Sequence, residues 1–349
     1  MSELRLNLDL LESNARQMAE CVAAFGKQWR PQVKAACQPD IAKLLLKSGA
    51  IGITTETVGQ VEALAEAGIP SILFAHVAVA EDQLRRLAIA ARTSEVILIV
   101  DHFVQAEFYS RAALQHTCQF RFLVEVNVGM NRTGCRPRVD ASQLAQAAGR
   151  LPGLQFAGII GNEAHLASIG DYRKKRNAVF EAMGTLQQTR EAMLSVGLEC
   201  EIVSAGATGV FEVAAEHSVV TEIQADCLAF REFTDPHGSE LLGGNSVLIV
   251  VADVISRPSL EQAVLNVGLN TIDTSAAIPR VVGIDGAGVA AMYDEHTVLL
   301  LEGDSRDVKI GQQVQLAVAI SNRTVLMHRQ IHVYRGDELL DVWPVICRS

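Results

Sequence analysis

An α/β fold, a (β/α)8 TIM barrel followed by an all-β domain, is the architecture that the sequence predicts. Strand and helix patterns alternate about eight times between residues 10 and 232. The strands there are short, continuous apolar runs, typical of parallel strands buried on both faces. Beyond about residue 235 helical patterns almost vanish, and strands separated by turns take over. We therefore expect a barrel over 10–232 and a β-domain over 233–349 that also includes strand 1–9.

The barrel elements follow one another in regular order. Residues 4–9 alternate apolar and polar side chains and are predicted to form a strand that joins the β-domain. Barrel strands are predicted at 29–36, 50–55, 71–76, 95–100, 120–128, 155–161, 200–206 and 219–226. Helices are predicted at 10–26, 40–48, 57–67, 81–92, 102–115, 139–149, 171–196 and 209–215. An open doubly wound sheet is the alternative, and the lack of a GxGxxG fingerprint after the first strand disfavours it.

The last third of the chain is composed of apolar segments with turns such as EGDSRD and RGDE between them. The predicted strands are VLIVVADVISRP (247–258), QAVLNVGLNTI (262–272), HTVLLLEG (296–303), QQVQLAVAI (312–320), TVLMHRQIHVYRG (324–336) and ELLDVWPVI (338–346).

Composition narrows the classes of partner. The net charge is −10 and no basic stripe is present, which argues against nucleic acid and anionic membranes. The N-terminus has no apolar signal core, and no apolar run is long enough to span a bilayer. Seven cysteines occur without CxxC pairs, which indicates reduced thiols in a cytoplasm and argues against a structural zinc site.

Lys34 lies at the end of the first predicted barrel strand, beside the small residues Ala35, Ala36 and Cys37. Catalytic groups of such barrels lie at the C-terminal ends of strands. A partly buried lysine amine becomes a nucleophile that forms a Schiff base with a carbonyl cofactor. Taken alone, a lysine in this position more often simply extends its amine to solvent.

A loop of small residues, SAGATG (204–209), follows the seventh predicted barrel strand and precedes a short helix. Backbone N–H groups in such a loop approach an anion closely, and barrels commonly bind phosphate here. Thr208 adds a hydroxyl. The loop is weak evidence by itself, and its place after the seventh strand strengthens it.

Two motifs, PQVKAA (31–36) around Lys34 and VEVNVGMNRTGC (124–135), resemble the pyridoxal-phosphate enzymes with an alanine-racemase-type barrel, fold type III. The rest of the chain is similar to the D-threonine aldolase and D-serine dehydratase branch. The supporting segments are GLQFAGIIGNEAHL (153–166), VSAGATGVF (203–211), TEIQADCLAF (221–230), YDEHTVLLLEG (293–303) and YRGDELLDVWPV (334–345).

The resemblance implies a set of site residues. Lys34 would hold pyridoxal 5′-phosphate as a Schiff base, Arg132 would bind the cofactor's phenolic oxygen or the substrate carboxylate, and His165 would stack on the pyridine ring. Gln224 would be the neutral partner of the ring nitrogen. The phosphate would be bound by residues of the small-residue loop and the chain after Gln224, namely Ser204, Gly206, Ala207, Thr208, Asp226 and Cys227. A homodimer with an amino-acid substrate is expected.

The sequence departs from the branch at positions that specify the reaction. The metal-binding histidine and its partner two residues later correspond to Ile320 and Asn322, so the divalent metal is doubtful. Asn162 replaces a tyrosine and Ser168 replaces a histidine. The candidate replacement acid–base residues are Glu163, His296 and His328, and a rearranged metal site would draw on His296, His328 or Asp294.

These observations predict a pyridoxal-phosphate-dependent lyase, of aldolase or dehydratase type, that acts on a β-hydroxy D-amino acid without the usual metal site. Two alternatives remain open. One is racemisation or metal-free aldol transfer on the same cofactor, and the other is a non-catalytic homologue that binds the cofactor.

Overall fold

The computed structural model describes residues 2–34, 38–225, 246–275, 278–318 and 321–345, without the side chains of Ser321 and Asn322. The chain divides into two compact units. One comprises Met1–Ala15 and Cys227–Arg348, and the other Arg16–Asp226. The predicted boundary at 232 and 233 lies outside the described residues. Strand β1 (Glu3–Asn7) opens the chain and belongs to the first of these units.

The Arg16–Asp226 unit is a parallel barrel. Its strands are β2 (Gln28–Trp29), β3 (Ile53–Thr55), β4 (Ser71–Phe74), β5 (Glu95–Val100), β6 (Phe120–Val126), β7 (Leu154–Gly161), β8 (Ile202–Ala205) and β9 (Glu222–Ile223). All neighbours pair in parallel, in the order β2-β9-β8-β7-β6-β5-β4-β3. A parallel bridge between Gln32 and Thr54 joins the chain after β2 to β3. The predicted barrel fold is confirmed.

Helices alternate with these strands. They are α1 (Leu8–Ala24), α2 (Pro39–Lys47), α3 (Val58–Glu66), α4 (Glu81–Ala90), α5 (Phe103–His116), α6 (Val139–Ala148), α7 (Tyr172–Ser195) and α8 (Phe211–Glu216). Local sequence defines several of their starts. Thr57 and Gln60 form a capping box on α3, and the side chain of Asp171 accepts the Lys174 N–H at the start of α7. No helix in the described part of the chain is long and apolar enough to cross a membrane.

Inward-facing side chains fill the middle of the barrel. Side chains alternate along a strand, so each strand directs one set of side chains inward, and an irregularity near Gly158 shifts this set in β7. One apolar cluster occupies this space, and it is formed by Leu73, Ile97, Ile99, Leu123, Ala157, Ile160 and Ile202. The barrel interior is therefore a packed core, and only the strand ends are left for chemistry.

The first barrel strand is shorter than the sequence predicts. Ala35 and Ala36 of the predicted span lie outside the described residues. Only Gln28 and Trp29 form regular strand, and residues 30–34 continue as irregular chain with one bridge at Gln32. Pro31 is the physical reason, because proline has no N–H to donate to a ladder. Its carbonyl still accepts the Thr54 N–H at 2.9 Å, and the Val33 N–H donates to the Thr54 carbonyl at 3.0 Å, so the segment remains attached to β3.

The other unit is a mixed β-sheet domain. Its further strands are β10 (Leu248–Ser259), β11 (Gln262–Leu265), β12 (Arg280–Val282), β13 (Ala287–Met292), β14 (Thr297–Leu301), β15 (Gln313–Ala317), β16 (Gln330–Arg335) and β17 (Glu338–Pro344). Strand β1 lies between β10, with which it is antiparallel, and β16, with which it is parallel. The N-terminal strand is thus part of this sheet.

One predicted strand of this unit is wrong. The segment 324–336 was predicted to be a single strand, but its first part lies in helix α9 (Ser321–Met327), and β16 begins only at Gln330. Serine and asparagine are residue types that favour helix starts. Burial of Thr324 and Val325 stabilises the helical turn through packing, which overrides the strand preference of these β-branched residues.

Candidate active site

The carboxyl ends of the barrel strands meet at one edge of the barrel, where catalytic groups of this architecture are found. Lys34 follows β2, the loop 127–135 follows β6, and Glu163 follows β7. Gly206 follows β8 and Gln224 follows β9. Parallel pairing of these strands therefore assembles residues that are far apart in the chain.

Lys34 is half-buried at the end of the segment that leaves β2. Arg30, Gln32 and Lys34 share one face of this extended chain because side chains alternate. The Arg30 side chain reaches Glu222 and Ser71 inside the barrel, so this face is the inner one. The Lys34 carbonyl accepts a 2.8 Å hydrogen bond from Gln60 Nε2, which fixes the backbone at this position.

The loop that carries Arg132 is folded by its own asparagines. Asn127 Oδ1 accepts the N–H groups of Gly129 at 3.0 Å and Asn131 at 3.2 Å, and Asn127 Nδ2 donates to Asn131 Oδ1 at 2.9 Å. Gly129 and Asn131 both have positive φ, of 117° and 53°. The exposed Arg132 follows this turn directly, so the turn formed by the residues GMN determines where the Arg132 side chain leaves the backbone.

Two buried or half-buried carboxylates hold the second half of the same loop. Thr133 Oγ1 donates to Glu125 Oε1 at 2.7 Å, and the Gly134 N–H donates to Asp101 Oδ2 at 2.9 Å. Burial raises the pKa of Glu125 most, the Thr133 bond opposes this effect, and Asp101 adds to it. Glu125 Oε2 is buried, and no described residue bonds it. Glu125 was not predicted from the sequence, although it lies on the buried strand β6, four residues before the GMNRTG motif begins at Gly129.

Glu163 lies beneath the small-residue loop. Its side chain is fully buried, and Oε1 accepts the N–H groups of Gly206 and Ala207, both at 2.9 Å. Burial raises the pKa of Glu163, while these two backbone hydrogen bonds lower it. Its other oxygen, Oε2, is buried and has no bond to any described residue. This geometry makes Glu163 a positioning residue for the loop, and its acid–base role stays a prediction.

The loop itself is packed so closely that glycine is required. A Cβ on Gly206, which has φ of +86°, would lie 2.7 Å from Ile223 Cδ1, and one on Gly209 would lie 2.6 Å from Ala167 Cβ. The N–H groups of Gly206 and Ala207 already donate to Glu163. An anion at this loop would therefore rely on Thr208 and the residues after it. Phosphate binding at this loop stays a prediction.

Ser204 and Gln224 meet below the mouth of the barrel. Ser204 Oγ is fully buried and donates to Glu222 Oε1 at 2.7 Å, and Gln224 Nε2 donates to Ser204 Oγ at 2.6 Å. Arg30 Nε donates to Glu222 Oε2 at 3.0 Å. Ser204 thus supports Gln224 from beneath. Arg30 and Glu222 were not predicted from the sequence.

His165 is exposed in a 3-10 helix (Ala164–Ser168) after β7. Its Nε2 lies 3.4 Å from the position that a Cβ on Gly129 would take. The structure therefore brings His165 to the loop that carries Arg132, and its stacking role stays a prediction.

The remaining predicted residues belong to the β-domain or lie outside the described part. His296 and Asp294 are exposed between β13 and β14. His328 is buried, with Nε2 3.1 Å from the Thr271 carbonyl oxygen, and burial lowers its pKa. The structure does not describe Asp226, Cys227, Ile320 or the side chain of Asn322.

The described residues contain no group of three or more histidine, cysteine, aspartate or glutamate side chains arranged to hold a metal ion. At the position of the expected metal ligand, Ile320 offers no donor atom.

A parallel eight-stranded barrel joined to a separate mixed β-sheet domain is the architecture of the alanine racemase-like class. The chain belongs to the alanine racemase N-terminal domain family. Its residues 6–225 match the description "Alanine racemase, N-terminal domain", and residues 247–334 match "Putative serine dehydratase domain". These matches confirm the predicted fold-type III family and its D-threonine aldolase and D-serine dehydratase-like branch.

Relatives cover from 72% to 99% of the chain. A D-threonine aldolase from Arthrobacter sp. is 30% identical over 99% of this chain and 92% of the relative. A D-threo-3-hydroxyaspartate dehydratase from Delftia sp. is 27% identical over 72% of this chain and 67% of the relative. The crystal structure of D-threonine aldolase from Filomicrobium marinum superposes with a TM-score of 0.93 at 28% identity, over 100% of this chain and 95% of that one. The prediction of a lyase-type enzyme is thereby confirmed.

Proposed function

We propose that the protein is a pyridoxal-phosphate-dependent lyase that cleaves or dehydrates a β-hydroxy D-amino acid. The observation that carries this proposal is that Lys34 follows the first barrel strand at the barrel edge where the loops 127–135 and 206–209 also lie. The relatives support the substrate class, because D-threonine and D-threo-3-hydroxyaspartate are both β-hydroxy D-amino acids.

The residues at this edge fit the cofactor. Lys34 would hold it covalently through its aldehyde, Thr208 and the glycine-lined loop would bind its phosphate, and Gln224 would contact its ring nitrogen. His165 would lie against the ring. When bound, pyridoxal phosphate supplies an electron sink that stabilises the charge developing at the substrate Cα.

The chain's own groups would orient the substrate. Arg132 presents a permanent positive charge to a carboxylate or to the cofactor's phenolic oxygen, and its planar fork gives that contact a direction. Glu163 holds the small-residue loop in place through the N–H groups of Gly206 and Ala207. Below these groups the apolar barrel core excludes water from the floor of the site.

We further propose that the reaction proceeds without the metal of the branch, since Ile320 has no ligating atom. A rearranged site involving His296, His328 or Asp294 is the alternative, and a chelator separates the two. Unchanged turnover after exhaustive chelation supports the metal-free reaction, and loss of turnover that Mn²⁺ or Zn²⁺ restores contradicts it. We also propose a cytoplasmic location and a homodimer. Cysteines without CxxC pairs support the location, and the family resemblance supports the homodimer.

The decisive experiment is the absorption spectrum of the purified protein before and after borohydride reduction, with mass mapping of the labelled peptide. We expect a visible band that bleaches and a cofactor fixed on Lys34. Lys34→Ala should lose the band and the turnover of D-threonine, whereas Lys43→Ala, at an exposed position of α2, should retain both. Full activity of Lys34→Ala would contradict the proposal.

A second candidate function is favoured by the loss of the metal ligand at Ile320 and of the expected tyrosine at Asn162. It is racemisation or metal-free aldol transfer on the same cofactor, or binding without turnover. Chiral analysis of products from a panel of amino acids distinguishes these. Retention of configuration in every turnover excludes racemisation, and sustained turnover of any amino acid excludes the non-catalytic homologue.

A further inference from the structure

A buried ion pair lies beneath the mouth of the barrel. Arg30 is 3% exposed and Glu222 is 1% exposed, and Arg30 Nε lies 3.0 Å from Glu222 Oε2. Arginine keeps its proton in proteins, so its partner in this buried pair is an ionised carboxylate. An ionised carboxylate only accepts hydrogen bonds. Every group that contacts Glu222 must therefore donate to it.

This constraint determines how Ser204 bonds. A serine hydroxyl has one proton, and Ser204 must direct it to Glu222 Oε1, 2.7 Å away. Its oxygen is then left with lone pairs, so the contact of 2.6 Å with the Gln224 amide requires that Gln224 donates. The nitrogen end of the Gln224 amide must face Ser204, and its carbonyl oxygen must face elsewhere. The orientation of this amide thus follows from the hydrogen-bond network.

Gln224 connects this network to the site. It lies two residues beyond Glu222, on the same face of the chain that leaves β9, and its own N–H donates to the Ala205 carbonyl at 2.9 Å. Glu222 and Ser204 are fully buried, whereas Gln224 is half-buried. No described residue hydrogen-bonds to the carbonyl oxygen of its side chain. The acceptor end of the amide is therefore the end left for a ligand at the strand edge.

We propose that Glu222, acting through Ser204, is a positioning residue that makes Gln224 present a hydrogen-bond acceptor to the ligand. The proposal deepens the proposed function and rests on it where the ligand is concerned. If the ligand group is the ring nitrogen of pyridoxal phosphate, a carbonyl acceptor favours the protonated nitrogen, because an unprotonated one has no proton to donate. The buried pair would thereby strengthen the electron sink from a position that touches neither cofactor nor substrate.

The test measures protonation of the ring nitrogen directly, by ¹⁵N NMR of protein loaded with [¹⁵N]pyridoxal phosphate. Wild type should show the chemical shift of a protonated pyridine. Ser204→Ala releases the amide, so its signal should move towards that of the unprotonated ring. Ser71→Ala is the matched control, because Ser71 Oγ accepts from Arg30 Nη1 at 2.8 Å and donates to Glu95, and it bonds neither Ser204 nor Gln224. It should keep the wild-type signal.

An unprotonated ring in the wild type, or a Ser204→Ala signal identical to that of wild type, overturns the inference. A second measurement uses the wild-type protein without cofactor, so it does not depend on the folding of a variant. In the unloaded wild type, the side-chain NH₂ protons of Gln224 should exchange slowly and show cross-relaxation to the Ser204 side chain. Fast exchange of these protons, or the absence of this cross-relaxation, also overturns the inference. Failure of pyridoxal phosphate to attach to Lys34 instead contradicts the proposed function, and leaves the amide measurement as the test of orientation.

Discussion

Arg30 lies so close to Gly52 that residue 52 has no room for a side chain. A Cβ on Gly52 would lie 2.2 Å from Arg30 Nη1 and 2.5 Å from the Ser71 carbonyl oxygen. The missing side chain leaves the space through which the guanidinium reaches Ser71 and Glu222. The buried ion pair under the candidate site therefore depends on a glycine of the neighbouring strand segment.

Gly52→Ala should destabilise the protein by about 1–3 kcal/mol, the usual cost of an overpacked core. The clash involves backbone and a guanidinium bonded at two points, neither of which moves easily. Urea unfolding measures the change. Gly184→Ala is the control, because its Cβ would meet nothing within 4 Å and it lies inside α7. That variant should gain up to about 1 kcal/mol through helix propensity. Equal stability of Gly52→Ala and wild type would contradict the explanation.

Glu163→Gln should change how stability depends on pH. Burial raises the folded-state pKa of Glu163 above its unfolded value. The stability contributed by such a group is complete below the unfolded pKa and is lost as pH rises through the folded pKa. Glutamine does not titrate, and its Oε1 can still accept the two N–H groups of the loop. The free energy of unfolding of the variant, relative to wild type, should therefore increase with pH.

The measurement is urea unfolding at a series of pH values from about 4, below the ordinary glutamate pKa, to about 8. Glu163→Ala provides the contrast, because it removes the acceptor as well as the charge, and it should lower pyridoxal-phosphate affinity by loosening the loop at Gly206 and Ala207. A stability difference between Glu163→Gln and wild type that is independent of pH would exclude a raised pKa for Glu163.

Gly134→Ala should displace Arg132. Gly134 has φ of +101°, and a Cβ there would lie 2.7 Å from the Asn127 N and 2.9 Å from the Val126 carbonyl carbon. Because these are backbone atoms, the loop itself must shift. A misplacement of about 1 Å in a positioning loop costs on the order of a hundredfold in activity. Lyase assays should show that loss, while Gly170→Ala, with nothing within 4 Å, should leave activity unchanged.

The sequence was sufficient to predict the barrel because its elements are encoded locally, as apolar runs separated by helical patterns that recur along the chain. The reactive role of Lys34 stays a prediction. The turn around Asn127 is local as well, since the Asn127 side chain bonds Gly129 and Asn131.

The buried polar contacts could not be predicted, because their partners are distant in the chain. Arg30 bonds Ser71, 41 positions away, and Glu222, 192 positions away. The Glu163 side chain accepts the N–H of Gly206, which lies 43 positions later in the chain. In the sequence each of these residues is an isolated charge near an apolar run, and only closure of the barrel shows which charges meet. The role of Glu163 beneath the loop was missed for this reason.

Thr133→Val should destabilise the protein more at neutral pH than in acid. The Thr133 hydroxyl donates to Glu125, which favours the charged carboxylate and lowers its pKa against the effect of burial. Valine removes that hydrogen bond and keeps the shape, so the pKa of Glu125 should rise further. The charged form then loses its donor, and the free energy of unfolding should fall by about 1 kcal/mol above the pKa of Glu125 and by less below it.

Thr133→Ser keeps the hydroxyl and should resemble wild type throughout. The pKa of Glu125, followed by NMR of its labelled carboxyl carbon, checks the cause. An unchanged value in Thr133→Val would show that the Thr133 hydroxyl does not stabilise the charged Glu125.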